Sequence, residues 1–432
     1  MIPTRIVRDS CTSKGKQFFF EKKNQKTFAP LGTRCVQRIP QWTKVFASFF
    51  KKKRFPSLYG SASIRVGTTH LAVPAPIPRR PFLALCLAAT VTLAPAVAQA
   101  AAPTVIRIGM ASAGVGGRPA CAMSSLCLAH ARGLLEQEFA SDGTKVEWHF
   151  YTGAGPAVNE ALAGGQVDLA WQGDLPSIVA RAIGLKTRLL MSSGGRLDYY
   201  IAVPSDSPIK TLADLRGKKL ALFKGTNIQI VGERILESEG LGTDSVQVVN
   251  LDPSTALAAL ASHQIDATLL SFWGFGLRDS GKIRFIYSTA THSPRLTPQA
   301  ALLVTDSFLA AHPTTVQRAV NAFLRAARWA SDEDKRQEIA ALYAKTGYPI
   351  QFFLDADAGH SLKLQNDPQF DPFVTQQYKD VVAISLRTGL IHHPVSVDDW
   401  IDAAPLNQAL AQQGLTHFWP RYAADGKTVV GE

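Results

Sequence analysis

Short apolar runs and amphipathic segments alternate along the chain from about residue 104 to about residue 305. The runs "TVIRIGMA", "KVEWHFY" and "VDLAWQG" have the character of strands, and the segments between them repeat apolar residues at helical spacing, as over Ser124–Gln137. Regular alternation of strands and helices is typical of a mostly parallel sheet that helices cover on both faces. The pattern therefore predicts an α/β fold.

One unit in which a helix leads into a strand occurs twice. "ALAGGQVDLA" (161–170) and "ALASHQIDAT" (259–268) share Ala-Leu-Ala, a Gln, a β-branched residue and an Asp at the same positions, 98 residues apart. The repeat predicts two similar α/β lobes. From Pro313 onward only helical patterns remain, including Asp371–Arg387 and Asp398–Gln412, so we predict a helical tail that buttresses a lobe.

The positive charge of the chain belongs to its first 100 residues. The whole chain carries a formal net charge of +12, whereas residues 1–100 carry 17 Lys and Arg against Asp9 and Glu21. The remaining residues carry 29 basic against 32 acidic side chains. The part that folds is therefore slightly acidic, and we exclude nucleic acid as a partner.

This basic region ends in a segment typical of a signal peptide, over about residues 78–100. Arg79 and Arg80 precede an apolar stretch, and Ala98-Gln99-Ala100 offers small residues for cleavage. We predict export to the periplasm, either by the ordinary secretory route or by the twin-arginine route. The apolar stretch is shorter than the ~20 residues of a spanning helix, and no later segment approaches that length.

Two cysteines remain after the predicted cleavage point, Cys121 and Cys127. An exported protein with two cysteines often joins them, but a spacing of six puts the side chains on different sides of a helix. A disulfide therefore requires Cys121 to lie in the loop before the helix. A disulfide and two unpaired thiols both remain open at this point. The pair His392-His393 has no third metal ligand near it in sequence, so we predict no metal site.

The stretch "ALFKGTNIQIVGERIL" (221–236) sets an apolar strand pattern directly against a helix pattern. Only Lys224, Gly225, Thr226 and Asn227 lie between them. The first backbone N–H groups of such a helix lack partners within the helix and attract anions. We therefore predict that this loop binds a negatively charged group, while Thr226 can also serve as the cap of the helix.

Four longer segments together resemble a known family: "GPAVNEALAGGQVDLAWQGDLPSIVARAIG", "SDSPIKTLADLRGKKLALFKGTNIQIVGERILESEGL", "PSTALAALASHQIDA" and "ALYAKTG". Their order and spacing resemble the periplasmic substrate-binding proteins of ABC importers for sulfonates, taurine and nitrate, over about residues 104–410. The resemblance implies the type II fold of those proteins, in which two crossover strands join two doubly wound lobes that close on a small-molecule ligand. It further implies an ABC permease and an ATPase as partners, no cofactor and no enzymatic activity.

Carried onto this chain, the resemblance assigns the crossovers to about Tyr199–Pro204 and Gln299–Val304. Residues 104–203 and 296–432 would form lobe 1 with the helical tail, and residues 204–295 would form lobe 2. We expect a monomer.

Ligands of open α/β sheets bind outside the carboxyl ends of the strands. The loops at those ends supply the predicted ligand-binding residues: Ser112, Trp171, Gln172, Gly173, Asp174, Tyr199, Lys224, Gly225, Thr226, Asn227, Ser271, Phe272 and Trp273. The aromatic side chains among them suit the organic part of a ligand. Asp174 also fits the role of a helix cap. Asp198 either reaches the cleft or forms a surface ion pair.

One stretch departs from the family pattern. Relatives commonly have a tryptophan, an acid and a proline after the strand that follows the Gln-Ile-Asp motif, whereas this chain reads "LLSFWGFG". The departure favours a bulkier or flatter ligand than taurine. A binding protein for a thiamine pyrimidine precursor or another heteroaromatic compound is therefore the alternative. An enzyme like the thiamine-pyrimidine synthases is a weaker one, because their CCCFC motif is missing from the sequence.

Overall fold

The computed structural model describes residues 102–431, and the predicted basic extension and signal peptide lie outside these residues. The strands are β1 (Val105–Met110), β2 (Lys145–Phe150), β3 (Leu169–Gly173), β4 (Thr187–Ser192), β5 (Tyr200–Pro204), β6 (Lys219–Leu222), β7 (Gln247–Asn250), β8 (Ala267–Leu270), β9 (Ile283–Ser288) and β10 (Ala300–Thr305). The α-helices up to the tail are α1 (Ser125–Ala131), α2 (Leu134–Phe139), α3 (Ala154–Ala163), α4 (Asp174–Ala182), α5 (Asn227–Ser238), α6 (Pro253–Ala261), α7 (Phe275–Asp279) and α8 (Asp306–Ala311). The helices of the tail are α9 (Pro313–Ala330), α10 (Arg336–Tyr343), α11 (Ile350–Ala356), α12 (Leu362–Gln365), α13 (Pro372–Arg387) and α14 (Ala404–Gln412).

The strands form two five-stranded sheets of the same topology. Their orders are β2-β1-β3-β10-β4 in lobe 1 and β7-β6-β8-β5-β9 in lobe 2. In each sheet one strand runs antiparallel to both of its neighbours, β10 in the first sheet and β5 in the second. The predicted α/β fold with two similar lobes is confirmed.

The aspartate shared by the two repeated segments has the same role in each lobe. Asp168 accepts the backbone N–H of Arg107 in β1 at 3.0 Å, and Asp266 accepts that of Lys219 in β6 at 2.7 Å. β1 and β6 occupy equivalent places in the two sheets. The repeated aspartate therefore satisfies a backbone donor at the start of an inner strand, which is a structural role.

Two connecting segments, residues 193–199 and 289–299, carry the chain between the sheets. Tyr199 and Thr289 join these segments, because the Tyr199 N–H donates to Thr289 Oγ1 at 2.9 Å and the Thr289 N–H donates to Tyr199 O at 3.0 Å. β5 lies in the sheet of lobe 2, so the lobe boundary falls near residue 199 and not at the expected residue 203. The expected crossover strands each belong to one sheet.

The predicted helix over 124–137 is interrupted. α1 ends at Ala131, and Gly133 with φ 64° precedes α2, a conformation that glycine adopts without a steric penalty. Cys121 lies in the loop before α1 and is bonded to Cys127 within that helix. Both cysteines are buried in the core of lobe 1.

The helical tail packs on both lobes. Its longest helix, α9, has an apolar stripe that is buried in the core of lobe 1: Val316, Val320, Phe323, Leu324 and Ala327. α13 instead packs against α4 of lobe 1 and also contacts lobe 2, where Gln377 O accepts a hydrogen bond from Arg234 in α5 at 3.1 Å. The expectation that the tail buttresses a single lobe was therefore incomplete. The helix expected over 398–412 is confined to α14.

Candidate functional site

Two glycine contacts bring helix starts from the two lobes together. A Cβ atom placed on Gly173, just before α4 of lobe 1, would lie 3.0 Å from the side chain of Asn227 at the start of α5 in lobe 2. One placed on Gly225, just before α5, would lie 3.1 Å from Cγ of Pro156 in α3. Glycine at these positions thus permits the close approach of the lobes. We call this meeting place the interlobe junction.

A third glycine contact brings the starts of α3 and α4 together within lobe 1. A Cβ atom on Gly155 in α3 would lie 2.3 Å from Cγ of Pro176 in the first turn of α4. The starts of α3, α4 and α5 therefore converge. Each helix start has a partial positive charge of ~0.5 elementary charge, so their convergence suits a negatively charged group even without a cationic side chain.

The loop before α5 is held by its own hydrogen bonds. Thr226 Oγ1 accepts the Ile228 N–H at 3.2 Å and donates to Phe223 O at 2.7 Å, so the Thr226 side chain caps the helix. The Gly225 N–H donates to Gln229 Oε1 at 2.8 Å. Lys224 is exposed, and its backbone N–H is bonded to a side chain of lobe 2.

These bonds leave two backbone donors of the loop. Within residues 102–431, the N–H groups of Thr226 and Asn227 have no hydrogen-bond acceptor. Asn227 is half-buried against Gly173 of the other lobe. These two donors at the start of α5 are therefore available to a ligand, while ligand contact through them and through the Thr226 hydroxyl stays a prediction.

Asp174 is the first residue of α4, and its side chain is fully buried. The carboxylate accepts the Leu175 N–H at 2.7 Å and the Gln299 N–H at 3.2 Å. Burial raises the pKa of Asp174, and the positive charge of Arg234 in lobe 2 acts against that rise. The carboxylate therefore binds the backbone of its own helix and of the second connecting segment. The cap residue of α4 is Gly173, so the helix-cap role expected for Asp174 was wrong by one position.

Trp171 and Gln172 lie near the end of β3, and their side chains bond to different partners. Gln172 Nε2 donates to Asn159 Oδ1 at 3.0 Å, and the Asn159 amide is oriented by its own donation to Pro176 O at 2.8 Å. Gln172 Oε1 is buried, and it has no partner among the described residues. Trp171 Nε1 donates to Ser193 O at 3.1 Å, which ties β3 to the first connecting segment.

Five aromatic residues form a chain of ring contacts that runs from the connecting segment through lobe 2 to the tail. Tyr199 meets Trp273 at 5.7 Å between ring centroids, and Trp273 meets Phe272 at 5.3 Å. Phe272 in turn contacts Tyr348 at 5.5 Å and lies 5.0 Å from Phe353 of α11. Sequence reasoning selected the first three residues and missed the two from the tail, for which no motif in the sequence gave a signal.

The two predicted serines lie in different surroundings. Ser271 is buried, and its hydroxyl donates to Asp198 O at 2.7 Å, so it links lobe 2 to the first connecting segment. Ser112 is half-buried in the loop after β1, which is joined to β3 by the Ala111 N–H donating to Trp171 O at 2.9 Å. Ser271 thus has a structural partner, and ligand contact for both serines stays a prediction.

Asp198 is buried in the first connecting segment rather than exposed in a surface ion pair. Its Oδ2 lies 2.5 Å from His360 Nε2, and its Oδ1 accepts the Thr289 hydroxyl at 3.1 Å. The bond to Asp198 raises the pKa of His360, and partial burial acts in the opposite direction. Asp198 was a candidate from the sequence, whereas nothing in the sequence pointed to His360 as its partner.

The described residues contain no group of three or more His, Cys, Asp or Glu side chains placed to hold a metal ion. No helix in this part of the chain combines the length and apolar character needed to cross a membrane.

The chain is similar to known proteins in sequence and in fold. Residues 126–336 match the family model "NMT1/THI5 like". A protein of Escherichia coli K12 named "Putative aliphatic sulfonates-binding protein" is 34% identical over 173 residues, which are 40% of this chain and 50% of the relative. The matched part of this chain therefore spans about half the length of that relative.

Solved structures match over nearly their whole length. The periplasmic sulfonate-binding protein SsuA from Methylobacillus flagellatus KT superposes with a TM-score of 0.64 and 27% identity, covering 74% of this chain and 97% of that one. The alkanesulfonate-binding protein SsuA from Xanthomonas axonopodis pv. citri, solved with MOPS bound, gives 0.59 and 26%, covering 70% and 100%. The resemblance inferred from the sequence is confirmed.

Proposed function

We propose that this chain, of which residues 126–336 match the NMT1/THI5-like family model and whose fold matches that of a sulfonate-binding protein, captures a small organic anion of the aliphatic or aromatic sulfonate class between its lobes. It acts in the periplasm as a monomer and delivers the ligand to an ABC permease and its ATPase. The assignment is supported by similar proteins whose names describe them as sulfonate-binding proteins.

The convergence of three helix starts is the observation that carries the proposal. A sulfonate presents three oxygen atoms that share one negative charge, and the N–H groups of Thr226 and Asn227 can each donate to one of them. The half-buried rings of Trp171 and Trp273 suit the organic part of the ligand. A ligand that touches both lobes favours the closed arrangement because it binds that arrangement more tightly.

A heteroaromatic ligand, such as a thiamine pyrimidine precursor, is the second candidate. The aromatic chain through Tyr199, Trp273 and Phe272 favours it, because flat rings stack well on such side chains. A pyrimidine has no charge for the converging helix starts to neutralise, so we rank it below the sulfonates.

A thermal-shift screen of the whole protein tests the proposal. The compounds are MOPS and simple alkanesulfonates, the carboxylates of matched shape, nitrate, and a hydroxymethylpyrimidine. We expect a sulfonate to raise the melting temperature most, because ligand at about 100 times its Kd adds about 2.7 kcal/mol of stability. Stabilisation by the carboxylates alone, or by the pyrimidine alone, would contradict the sulfonate assignment, and titration calorimetry would then measure the affinity of that compound.

Removal of the helix cap should have a moderate effect on both stability and affinity. Thr226→Ala deletes the hydroxyl that accepts the Ile228 N–H, and we expect about 1 kcal/mol less stability and about fivefold weaker sulfonate binding. Thr226→Ser keeps the hydroxyl and is the matched control. Equal affinities of the two variants in titration calorimetry would show that the order of this helix start does not matter for binding.

A further inference from the structure

Residues 348–360, which include α11, lie between the core of lobe 1 and the surface of lobe 2. We call this segment the clasp. Phe353 is fully buried in the core of lobe 1 and contacts Tyr343 at 5.6 Å. Phe272 of lobe 2 lies against Phe353 and Tyr348, at 5.0 and 5.5 Å between ring centroids. The clasp is therefore anchored in one lobe and touches the other.

A salt bridge adds a polar contact beside these rings. Arg278 Nη2 in α7 of lobe 2 lies 2.8 Å from Asp355 Oδ2 in the clasp, and both side chains are about one-third exposed. Gln351 Nε2 donates to the other carboxylate oxygen of Asp355 at 2.7 Å. Partial burial opposes ionisation, but the bonds from Gln351 and Arg278 prevail and lower the pKa of Asp355. This pair therefore stays ionised at neutral and mildly acidic pH.

The other end of the clasp contacts the connecting segments. His360 Nε2 lies 2.5 Å from Asp198 Oδ2 in the first segment, and Asp198 also accepts the hydroxyl of Thr289 in the second. Because both segments must change conformation when the lobes separate, a bond from the clasp to Asp198 restrains that change. The clasp thus holds lobe 2 at one end and the hinge at the other.

We propose that the clasp is a latch for the closed state, in which Arg278–Asp355 and Asp198–His360 are the contacts that restrain opening of the lobes. These four residues restrain the position of lobe 2 and of the first connecting segment relative to the clasp. The latch is a property of the chain without ligand, so the proposal goes beyond the sulfonate assignment.

The latch depends on pH through His360. Three ionisable groups act on this histidine: Asp198 from the connecting segment, Asp357 from the clasp and Arg336 from α10. Burial raises the pKa of Asp357 to about 6, so this carboxyl group also ionises between mildly acidic and neutral pH, and its negative charge then raises the pKa of His360 in the same direction as Asp198 does. The bond to Asp198 raises the pKa of His360. The ionic attraction between the two side chains is therefore complete at low pH, where His360 is protonated, and it is lost as the pH rises through the pKa of His360.

Hydrogen–deuterium exchange of the ligand-free full chain tests the latch. The His360→Gln variant should exchange about tenfold faster than the wild type in residues 193–199 and 271–279 at about pH 5.5. At about pH 8.5 the ratio should be smaller, because a rise in pH favours the neutral form of the wild-type histidine. Arg278→Gln should accelerate the same peptides about threefold at both pH values, since neither Arg278 nor Asp355 titrates between them.

Asp398→Asn is the matched control. It breaks an exposed salt bridge, in which Asp398 Oδ2 lies 2.8 Å from Lys379 Nζ, and neither residue belongs to the clasp. It should leave exchange in both peptides unchanged. A His360→Gln ratio that is the same at both pH values would overturn the pH-dependent latch. Unchanged exchange in Arg278→Gln would overturn the role of the clasp in lobe 2. This substitution is at a side chain that is about one-third exposed, and it reports even if the histidine variant fails to fold.

Discussion

Replacement of Gly173 by valine is expected to weaken sulfonate binding by about 100-fold while the melting temperature stays close to that of the wild type. The added Cβ would lie 3.0 Å from the Asn227 side chain, which belongs to the other lobe. Gly173 itself has an extended backbone, with φ −68° and ψ 166°, that valine adopts without strain. The clash therefore acts on the approach of the lobes rather than on the folding of either.

Titration calorimetry with the most stabilising sulfonate measures this loss, and Asn227 provides its control. In the double variant Gly173→Val with Asn227→Gly the opposing side chain is gone, so most of the affinity should return. Asn227→Gly alone reports what that side chain contributes. Wild-type affinity in Gly173→Val would mean that binding does not need this contact between the lobes, whereas a large fall in melting temperature would mean that valine disrupts lobe 1 itself.

The elements of the two sheets could be predicted because each depends on a short-range pattern. The duplicated segment encoded both the second lobe and the position of its inner strand, and Asp168 and Asp266 occupy equivalent places in the two sheets. The topological rule for α/β sheets then selected the strand-end loops without any knowledge of their contacts. Gly173 and Asn227, chosen in this way from loops 54 residues apart in sequence, meet across the lobes.

The contribution of the tail could not be predicted because it depends on tertiary placement alone. α11 has only seven residues, too few for a periodic pattern to show which face it buries. Phe353 reaches Phe272 across 81 residues of sequence, and His360 reaches Asp198 across 162. The break at Gly133 was missed for a local reason, since one glycine does not by itself end a helical pattern.

The Arg234→Met variant is expected to have a free energy of unfolding about 3 kcal/mol lower than the wild type at neutral pH. Arg234 is only 7% exposed, and its guanidinium donates to Arg295 O at 3.2 Å and to Gln377 O at 3.1 Å. Methionine fills similar space but leaves both carbonyl groups without this donor. It also removes the positive charge that favours the ionised form of the buried Asp174.

The pH dependence separates these two causes of instability. Burial already raises the pKa of Asp174, and loss of Arg234 raises it further. A carboxyl group whose pKa is higher in the folded than in the unfolded state favours folding at low pH, where it is protonated, and this stabilisation is lost as the pH rises. The difference in free energy of unfolding between wild type and Arg234→Met should therefore become smaller toward acidic pH. Urea unfolding at several pH values measures this difference in free energy.

Arg387→Met is the control. Arg387 pairs with Glu237 of the same helix α5 but is 58% exposed, so its loss should lower the free energy of unfolding by less than about 0.5 kcal/mol. Equal deficits for the two arginine variants would show that the buried guanidinium contributes no more than a surface ion pair, and a deficit that does not change with pH would assign it to the carbonyl bonds alone.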